Sequence, residues 1–217
     1  FTIGFAFAMF FNQKFKLAGP IRGLILVSYM MPMAVTGLLG KNIFSNAGLI
    51  NDLLGKIGIS GPEWLVNTST ALIAVIIMNC WVGIPYTLLQ VTGILQNIPG
   101  ELYEAAKIDG ANAVQTFFKI TLPYMLFVMT PYLITQFTGN INNFNVIFLL
   151  SGGNPTPVDA TAGKTDLLVT WLYKLTVDKN YYNLGAVIGI MTFIVLAIVA
   201  LVTYRNTASY KDEEGFM

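Results

Sequence analysis

Long apolar runs alternate with short polar segments along this chain. No charged residue lies between Trp64 and Gly100, or between Ile120 and Val158. Runs of this length can cross a bilayer as helices, since about 20 apolar residues span its hydrocarbon core. The pattern therefore predicts an all-α, polytopic transmembrane helical bundle.

The same pattern sets the expected order of elements. It predicts about five spans, at residues 1–11 (the end of a span), 20–39, 68–89, 121–140 and 183–204. Pro32 should bend the second span, because proline removes a helical hydrogen bond and clashes with the preceding turn. Between the spans we expect a short helix near 49–57, a loop at 90–119, a continuation of the fourth span at 143–150 and an amphipathic piece at 166–175.

The first apolar run is about half a span long and no initiator Met precedes it. We therefore interpret residues 1–206 as one transmembrane domain that is incomplete at its N terminus. Residues 207–217 are expected to form a charged cytoplasmic tail.

Composition excludes several classes of function. Hydrophobic residues make up 55% of the 217 residues, charged residues 11%, and the net charge is +1. With positive and negative charges so nearly equal, the chain offers no basic patch that would bind nucleic acid. With no His and a single Cys, Cys80, a His/Cys zinc site and an internal disulfide are both excluded. No Gly-rich Walker loop is present, so no ATP hydrolysis by this chain and no cofactor are expected.

Two polar faces lie within the predicted spans. Helical spacing places Asn79, Gly83, Tyr86 and Gln90 on one face of the third span, and Gln136, Asn140 and Asn143 on one face of the fourth, beside Gly139. Amides offer donors and acceptors together, as sugar hydroxyls require, and Tyr86 can stack on a pyranose ring. The alternative for each residue is an ordinary hydrogen bond between helices.

The most polar stretch between two apolar runs is residues 104–123, EAAKIDGANAVQTFFKITLP. Pro99 can open a helix, and Asp109 with Gly110 should end it, since Gly adopts the left-handed conformation that closes helices. A second short helix is expected from Phe117 to Pro123. The small residues in between leave the backbone accessible to a partner.

This stretch resembles the EAA loop of binding-protein-dependent ABC importers. The matching positions are Glu104, Ala105, Ala106, Gly110, Ile120, Leu122 and Pro123. Three further segments, NCWVGIPY from Asn79, NNF from Asn142 and AGKTDLLV from Ala162, resemble the larger permease subunit of maltose/maltodextrin importers. Together with the stretch at 104–123, these segments are spread from residue 79 to residue 169.

The resemblance implies a type I ABC importer permease fold and specific roles for residues. Sugar contacts carry over to Asn79, Val82, Gly83, Tyr86, Gln136, Gly139, Asn140 and Asn143. Coupling to an ATPase carries over to Glu104, Ala105, Ala106, Asp109, Gly110, Ile120, Leu122 and Pro123. Two positions depart from the family pattern, because Gln136 replaces a small hydroxyl residue and Gly139 replaces an aromatic residue that would occupy space.

The resemblance also implies partners and a location. The partners are a second permease subunit in a heterodimer, a cytoplasmic dimer of ATP-binding subunits, and an extracellular solute-binding protein that meets residues 41–63 and 151–178. The chain would cross a bacterial cell membrane several times, in contact with its lipid, with the EAA loop and the C terminus in the cytoplasm. A slight excess of Lys and Arg on that side agrees.

The function expected from these features is passage of an oligosaccharide, maltose or maltodextrin, by alternating access driven by a separate ATPase. The main alternative is a secondary sugar carrier or facilitator that works alone, although the spans offer no Asp, Glu or His for proton coupling. An integral membrane enzyme is a third alternative, but the spans lack a His, a Cys pair or a carboxylate pair.

Overall fold

The computed structural model describes residues 1–13 and 16–205, and the regular structure within them is helical, without strands. The tail expected at 207–217 lies outside the described residues. In chain order the α-helices are α1 (Thr2–Phe11), α2 (Ala18–Tyr29), α3 (Met33–Ile43), α4 (Leu49–Lys56), α5 (Thr68–Asn97), α6 (Gly100–Ile108), α7 (Ala113–Thr116), α8 (Leu122–Ile141), α9 (Phe144–Leu150), α10 (Leu168–Tyr173) and α11 (Tyr182–Arg205). A first π-helical turn, Phe117–Thr121, follows α7, and a second, Lys174–Asp178, follows α10.

Three stretches of the described chain are long and apolar enough to cross a membrane: α5, the run Ala113–Leu150, and α11. The count rises to four if α2 and α3 together form one span. The first predicted span corresponds to α1, an apolar helix of ten residues. The all-α, membrane-spanning fold class is therefore confirmed.

The second predicted span is interrupted rather than bent. The α2 helix ends at Tyr29, and Pro32 precedes α3 with φ −55° and ψ 136°, outside the helical region. Proline cannot donate the hydrogen bond that would continue α2, so its fixed φ starts a new helix instead.

The third span is longer than predicted. The α5 helix continues for 30 residues to Asn97, although the sequence pattern placed a loop from Gln90 onward. Val91 and Leu95 are buried, as is Ile98 just beyond the helix. These apolar residues recur at helical spacing, so packing extends the helix through the region interpreted as a loop.

The short helix predicted to end at Pro123 is not a separate element. The α7 helix passes through the first π-helical turn directly into α8. Pro123 lies in the first turn of α8, directly after the π-helical turn, and as a proline it cannot donate a helical hydrogen bond to the turn before it. The EAA loop thus joins the fourth span without a break.

The remaining boundaries agree closely with the predictions. The α4 helix matches the short helix expected near 49–57, and α9 matches the continuation at 143–150. The last span, predicted at 183–204, is α11. The amphipathic piece predicted at 166–175 is α10 followed by the second π-helical turn.

The described chain divides into two compact units. The first unit comprises Phe1–Val27, Gly83–Thr138 and the chain from Ala197. Its core is formed by buried residues of α1, α5 and α8 and by Ile98, namely Ala8, Phe11, Leu88, Val91, Leu95, Ile98, Met125 and Met129. The Arg22 guanidinium donates to the Phe11 carbonyl and so caps the C-terminal end of α1.

The second unit comprises Ser28–Val82 and Gly139–Leu196. Its core is formed by Phe44, Ala74, Met78, Val146 and Leu150. The α3 and α9 helices approach closely at Gly37, where an added Cβ would lie 2.4 Å from Leu149 Cβ. Only a residue without a side chain fits at this crossing.

Candidate functional site

Three asparagine side chains meet within the second unit. Asn79 Nδ2 donates to Asn140 Oδ1 at 3.0 Å, and Asn143 Nδ2 donates to Asn79 Oδ1 at 2.7 Å. Asn79 lies in α5, Asn140 in the last turn of α8, and Asn143 at the N-cap of α9. We call these three residues the amide cluster. The structure therefore brings together three of the eight residues predicted to contact sugar.

Asn143 also fixes the local backbone. Its Oδ1 accepts a hydrogen bond from the Val146 N–H at 3.3 Å, in the first turn of α9. Asparagine is among the favoured N-cap residues because its side chain satisfies a free N–H at the helix start. Since its Nδ2 donates to Asn79, one side chain both begins α9 and joins the amide cluster.

The amide cluster has the chemistry to bind a neutral polyol. A primary amide offers two N–H donors and an oxygen with two lone pairs, and Asn79 uses one donor and one oxygen lone pair in the two bonds above. Asn140 is exposed, and Asn79 and Asn143 are half-buried. An exposed amide facing hydrocarbon is costly, so this position favours a face covered by water, ligand or another chain.

Gly139 and Val82 belong to the same unit but differ in their surroundings. A Cβ added at Gly139 would meet no atom within 4 Å, so the space beside Asn140 is open. Val82 is half-buried and packs against the core that contains Phe44 and Met78. The Val82 side chain thus faces the second-unit core. Its contact with sugar stays a prediction.

The other three predicted sugar contacts, Gly83, Tyr86 and Gln136, lie in the first unit. The Tyr86 ring lies 5.6 Å from the Tyr132 ring, and the Tyr132 hydroxyl is 2.8 Å from Thr87 Oγ1. Gln136 is half-buried, and a Cβ at Gly83 would meet open space. Tyr86 is thus supported from one side by a hydrogen-bonded tyrosine.

Sequence reasoning missed Tyr132 as a partner of Tyr86. The signal was present, because Tyr132 lies one helical turn before Gln136 on the same face as the amides of α8. Its pairing with Thr87 could not be predicted, since that contact depends on how α5 packs against α8.

The first half of the EAA loop has the predicted backbone. Pro99 is the N-cap of α6, and Gly110 beyond its end has φ +74°. The Ala111 N–H donates to the Ala106 carbonyl at 2.9 Å, and the Gly110 N–H donates to Lys107 at 3.1 Å. This pair of bonds is a Schellman motif, which requires the left-handed residue that Gly supplies.

The second half of the loop begins with a capping box that the sequence reasoning missed. Asn112 Oδ1 accepts from the Gln115 N–H, and Gln115 Oε1 accepts from the Asn112 N–H, both at 2.9 Å. The Asn-x-x-Gln spacing was the available signal. Two well-capped helices therefore flank Gly110, which gives the loop a defined shape.

The loop has an inner and an outer face. Ala106 is buried, and Tyr103 packs against the first-unit core. The exposed residues predicted to couple to an ATPase are Glu104, Ala105, Asp109, Gly110 and Pro123, whereas Ile120 and Leu122 are half-buried. Ile108 is 86% exposed, so the outer face of α6 presents an apolar side chain among charged ones.

The polar segment after α9 is held by a buried ion pair in the second unit. Lys174 Nζ lies 2.7 Å from Asp166 Oδ2, and the Asp166 side chain is only 2% exposed. The same carboxylate accepts from the Gly163 N–H at 2.7 Å and from Thr170 Oγ1 at 2.9 Å. Hydrogen bonds to both oxygens offset the cost of burying this charge and give the segment a fixed conformation.

The segment before α5 is held by Trp64. Its indole N–H donates to Asn51 Oδ1 at 2.8 Å, and its ring packs edge-on against Phe44 at 5.5 Å. Asn51 Nδ2 in turn donates to the Pro62 carbonyl at 3.1 Å. Both segments predicted to receive a solute-binding protein are therefore ordered by side chains of their own unit.

Comparison with known proteins places these features in a family. The model of the family described as binding-protein-dependent transport system inner membrane component matches residues 1–208. The galactooligosaccharides transport system permease protein GanP of Bacillus subtilis is 40% identical over 215 residues, covering 98% of this chain and 51% of the relative. The maltodextrin permease MdxF of the same organism is 35% identical, with the same two coverages. The maltose/maltodextrin permease MalF of Vibrio parahaemolyticus is 37% identical, covering 88% of this chain and 38% of the relative.

The chain thus spans about half, or less, of the length of these relatives. Among solved structures, a chain of a bacterial alginate ABC transporter, crystallised with an alginate pentasaccharide-bound periplasmic protein, matches with a TM-score of 0.80. The match covers 96% of this chain and 72% of that chain at 20% identity, and it supports the fold alone.

Proposed function

Because this chain belongs to the family of binding-protein-dependent transport system inner membrane components, we propose that it lines part of the sugar pathway of an ATP-driven oligosaccharide importer. The chain is a multi-pass membrane protein, as its apolar helices and its family indicate. The proposed substrate is a neutral oligosaccharide, with maltose or maltodextrin as the first candidates.

The amide cluster is the observation that supports this proposal most directly. Uncharged side chains with paired donors and acceptors suit sugar hydroxyls and offer no counter-charge to an ion. The cluster joins α5 to the α8–α9 junction, so a sugar that binds there exchanges hydrogen bonds between helices for bonds to itself. Such an exchange can bias the relative positions of these helices, which alternating access requires.

A galactooligosaccharide is the second candidate substrate. The relative named for that sugar is 40% identical to this chain, against 35–37% for the relatives named for maltodextrin or maltose. Open space at Gly139 supports a substrate of several rings but does not choose between the two linkages. Both sugars therefore belong in any uptake assay.

Energy is proposed to enter through the EAA loop. Its outer face exposes Glu104, Ala105 and Ile108, while Tyr103 and Ala106 attach its inner face to the first-unit core. A partner that presses on the outer face therefore moves a rigid, capped helix. The proposed partner is a dimer of ATP-binding subunits in the cytoplasm, which places this loop and the C terminus on the cytoplasmic side.

Two further partners complete the proposal. A second permease subunit would supply the other half of the pathway and cover the exposed amide of Asn140. An extracellular solute-binding protein would meet the ordered segments that contain Trp64 and Asp166. Family membership supports this assembly over a carrier that works alone and over an enzyme, since the family consists of transport components.

Gentle affinity purification of the whole protein from its native membrane tests the assembly. We expect an ATP-binding subunit and a second permease subunit to co-purify in fixed ratio. Purification of the protein by itself, active in ATP-independent sugar flux after reconstitution, would overturn the proposal in favour of a facilitator.

A further inference from the structure

One hydrogen bond ties the two halves of the EAA loop together. The hydroxyl groups of Tyr103 and Thr121 lie 3.1 Å apart, although the residues are 18 positions apart in the chain. Tyr103 lies in α6, and Thr121 is the last residue of the first π-helical turn. Thr121 is only 5% exposed, so its hydroxyl depends on a protein partner for its hydrogen bond.

The bond is placed where the loop becomes a membrane span. In the first π-helical turn the Leu122 N–H donates to the Phe117 carbonyl five residues earlier, which widens the helix at this point. Single π-helical turns are rare in proteins and are found frequently at functional sites. The Phe117 ring also packs against Phe5 of α1 at 6.5 Å, so this turn is fixed on a second side.

We infer that Tyr103 and Thr121 are positioning residues that carry movement of α6 into α8. The inference rests on the proposed function, because it concerns the path between the ATPase contact and the sugar pathway. Without the bond, α6 is linked to α8 by the chain through Gly110 and α7 and by apolar packing of Tyr103 on the first-unit core, which is not directional. Displacement of α6 can then be absorbed within the loop. With the bond, α6 is fastened to the first residue before α8.

Matched variants separate the hydroxyl bond from packing. Tyr103→Phe and Thr121→Val each remove one hydroxyl with little change in shape, and Thr121→Ser restores it. Tyr124→Phe is the control, because Tyr124 packs against the same core and its hydroxyl has no partner within the described residues. Each variant is made in the whole protein and purified with its partner subunits.

The first readout is the amount of maltodextrin transported per ATP hydrolysed in proteoliposomes. A single hydrogen bond corresponds to a factor of about threefold to tenfold in an equilibrium. We expect Tyr103→Phe and Thr121→Val each to lower the ratio by about that factor, the double variant to lower it no further, and Thr121→Ser and Tyr124→Phe to retain it. Unchanged ratios in both single variants, or additive losses in the double variant, would overturn the inference.

The second readout does not depend on transport. Amide hydrogen exchange of residues 100–121 in the purified protein should be faster in Tyr103→Phe than in the wild type or Tyr124→Phe, because the loop halves separate more readily. A wild-type complex without ATP-dependent uptake would refute the proposed function, and hydrogen exchange would then decide the inference. Equal exchange in all three proteins would overturn it.

Discussion

Asn143 donates its side-chain amide to Asn79 at 2.7 Å across 64 positions of sequence. The bond connects the middle of α5 to the first residue before α9, at the point where the α8 helix has ended. Under the proposed function, a sugar that takes over one of these amide groups would replace this contact. The proposal therefore links substrate recognition and helix arrangement through the same two side chains.

Asn79→Ala removes the residue that bonds to both other members of the amide cluster. We expect uptake at limiting sugar to fall by about tenfold to a hundredfold, because a desolvated hydroxyl loses its partner. Asn97→Ala is the matched control, since Asn97 lies in the same helix and bonds locally to the Gly93 carbonyl. Equal uptake by both variants, normalised to assembled complex, would place the sugar pathway elsewhere.

Gly139→Phe fills the open space beside Asn140. If that space accommodates additional sugar rings, long maltodextrins should lose several times more uptake than maltose. The measurement is competition between the two sugars in one preparation, so that complex abundance cancels. Equal loss for both sugars would show that Gly139 does not set substrate length.

Gly110→Val places a β-branched side chain at φ +74°, a conformation that such residues strongly disfavour. We expect stimulation of ATP hydrolysis by sugar-loaded binding protein to be largely lost while sugar binding persists. Gly110→Asn is the control, because asparagine tolerates the left-handed region and should retain most of the stimulation. Full stimulation of ATP hydrolysis in the Val variant would show that coupling does not require the backbone conformation of Gly110.

Gly37→Ala tests the close packing of α3 on α9. The added Cβ would lie 2.4 Å from Leu149 Cβ, so we expect overpacking to destabilise the protein by about 1–3 kcal/mol. Gly23→Ala in α2 is the control, since nothing lies within 4 Å of its added Cβ. Thermal unfolding in detergent compares the two, and equal stability would contradict the packing seen at Gly37.

Several features of this chain were predictable from its sequence because they are local. The break at Gly110 follows from glycine chemistry. Asn140 and Asn143 were predicted to share one helical face, but α8 ends at Ile141 and Asn143 caps α9, so the two residues meet at Asn79 from two different helices. The loop predicted from Gln90 onward was wrong, since α5 continues to Asn97 and the burial of Val91 and Leu95 depends on neighbouring helices.

Contacts between residues that are far apart in the sequence cannot be predicted from helical periodicity. The bond from Asn79 to Asn143 and the bond from Tyr103 to Thr121 each require knowledge of how helices pack. The sequence therefore indicates which side chains can donate and accept hydrogen bonds, and the structure is needed to show which of them meet.

Uptake of labelled maltodextrin and galactooligosaccharide by proteoliposomes tests the central claim most directly. The proteoliposomes contain the whole protein with its second permease and ATP-binding subunits, and binding protein is supplied on the side opposite to ATP. We predict that accumulation of at least one sugar requires ATP, binding protein and this chain, and that Asn79→Ala reduces it. Sugar flux that is independent of ATP, or that is equal when this chain is omitted, would contradict the account.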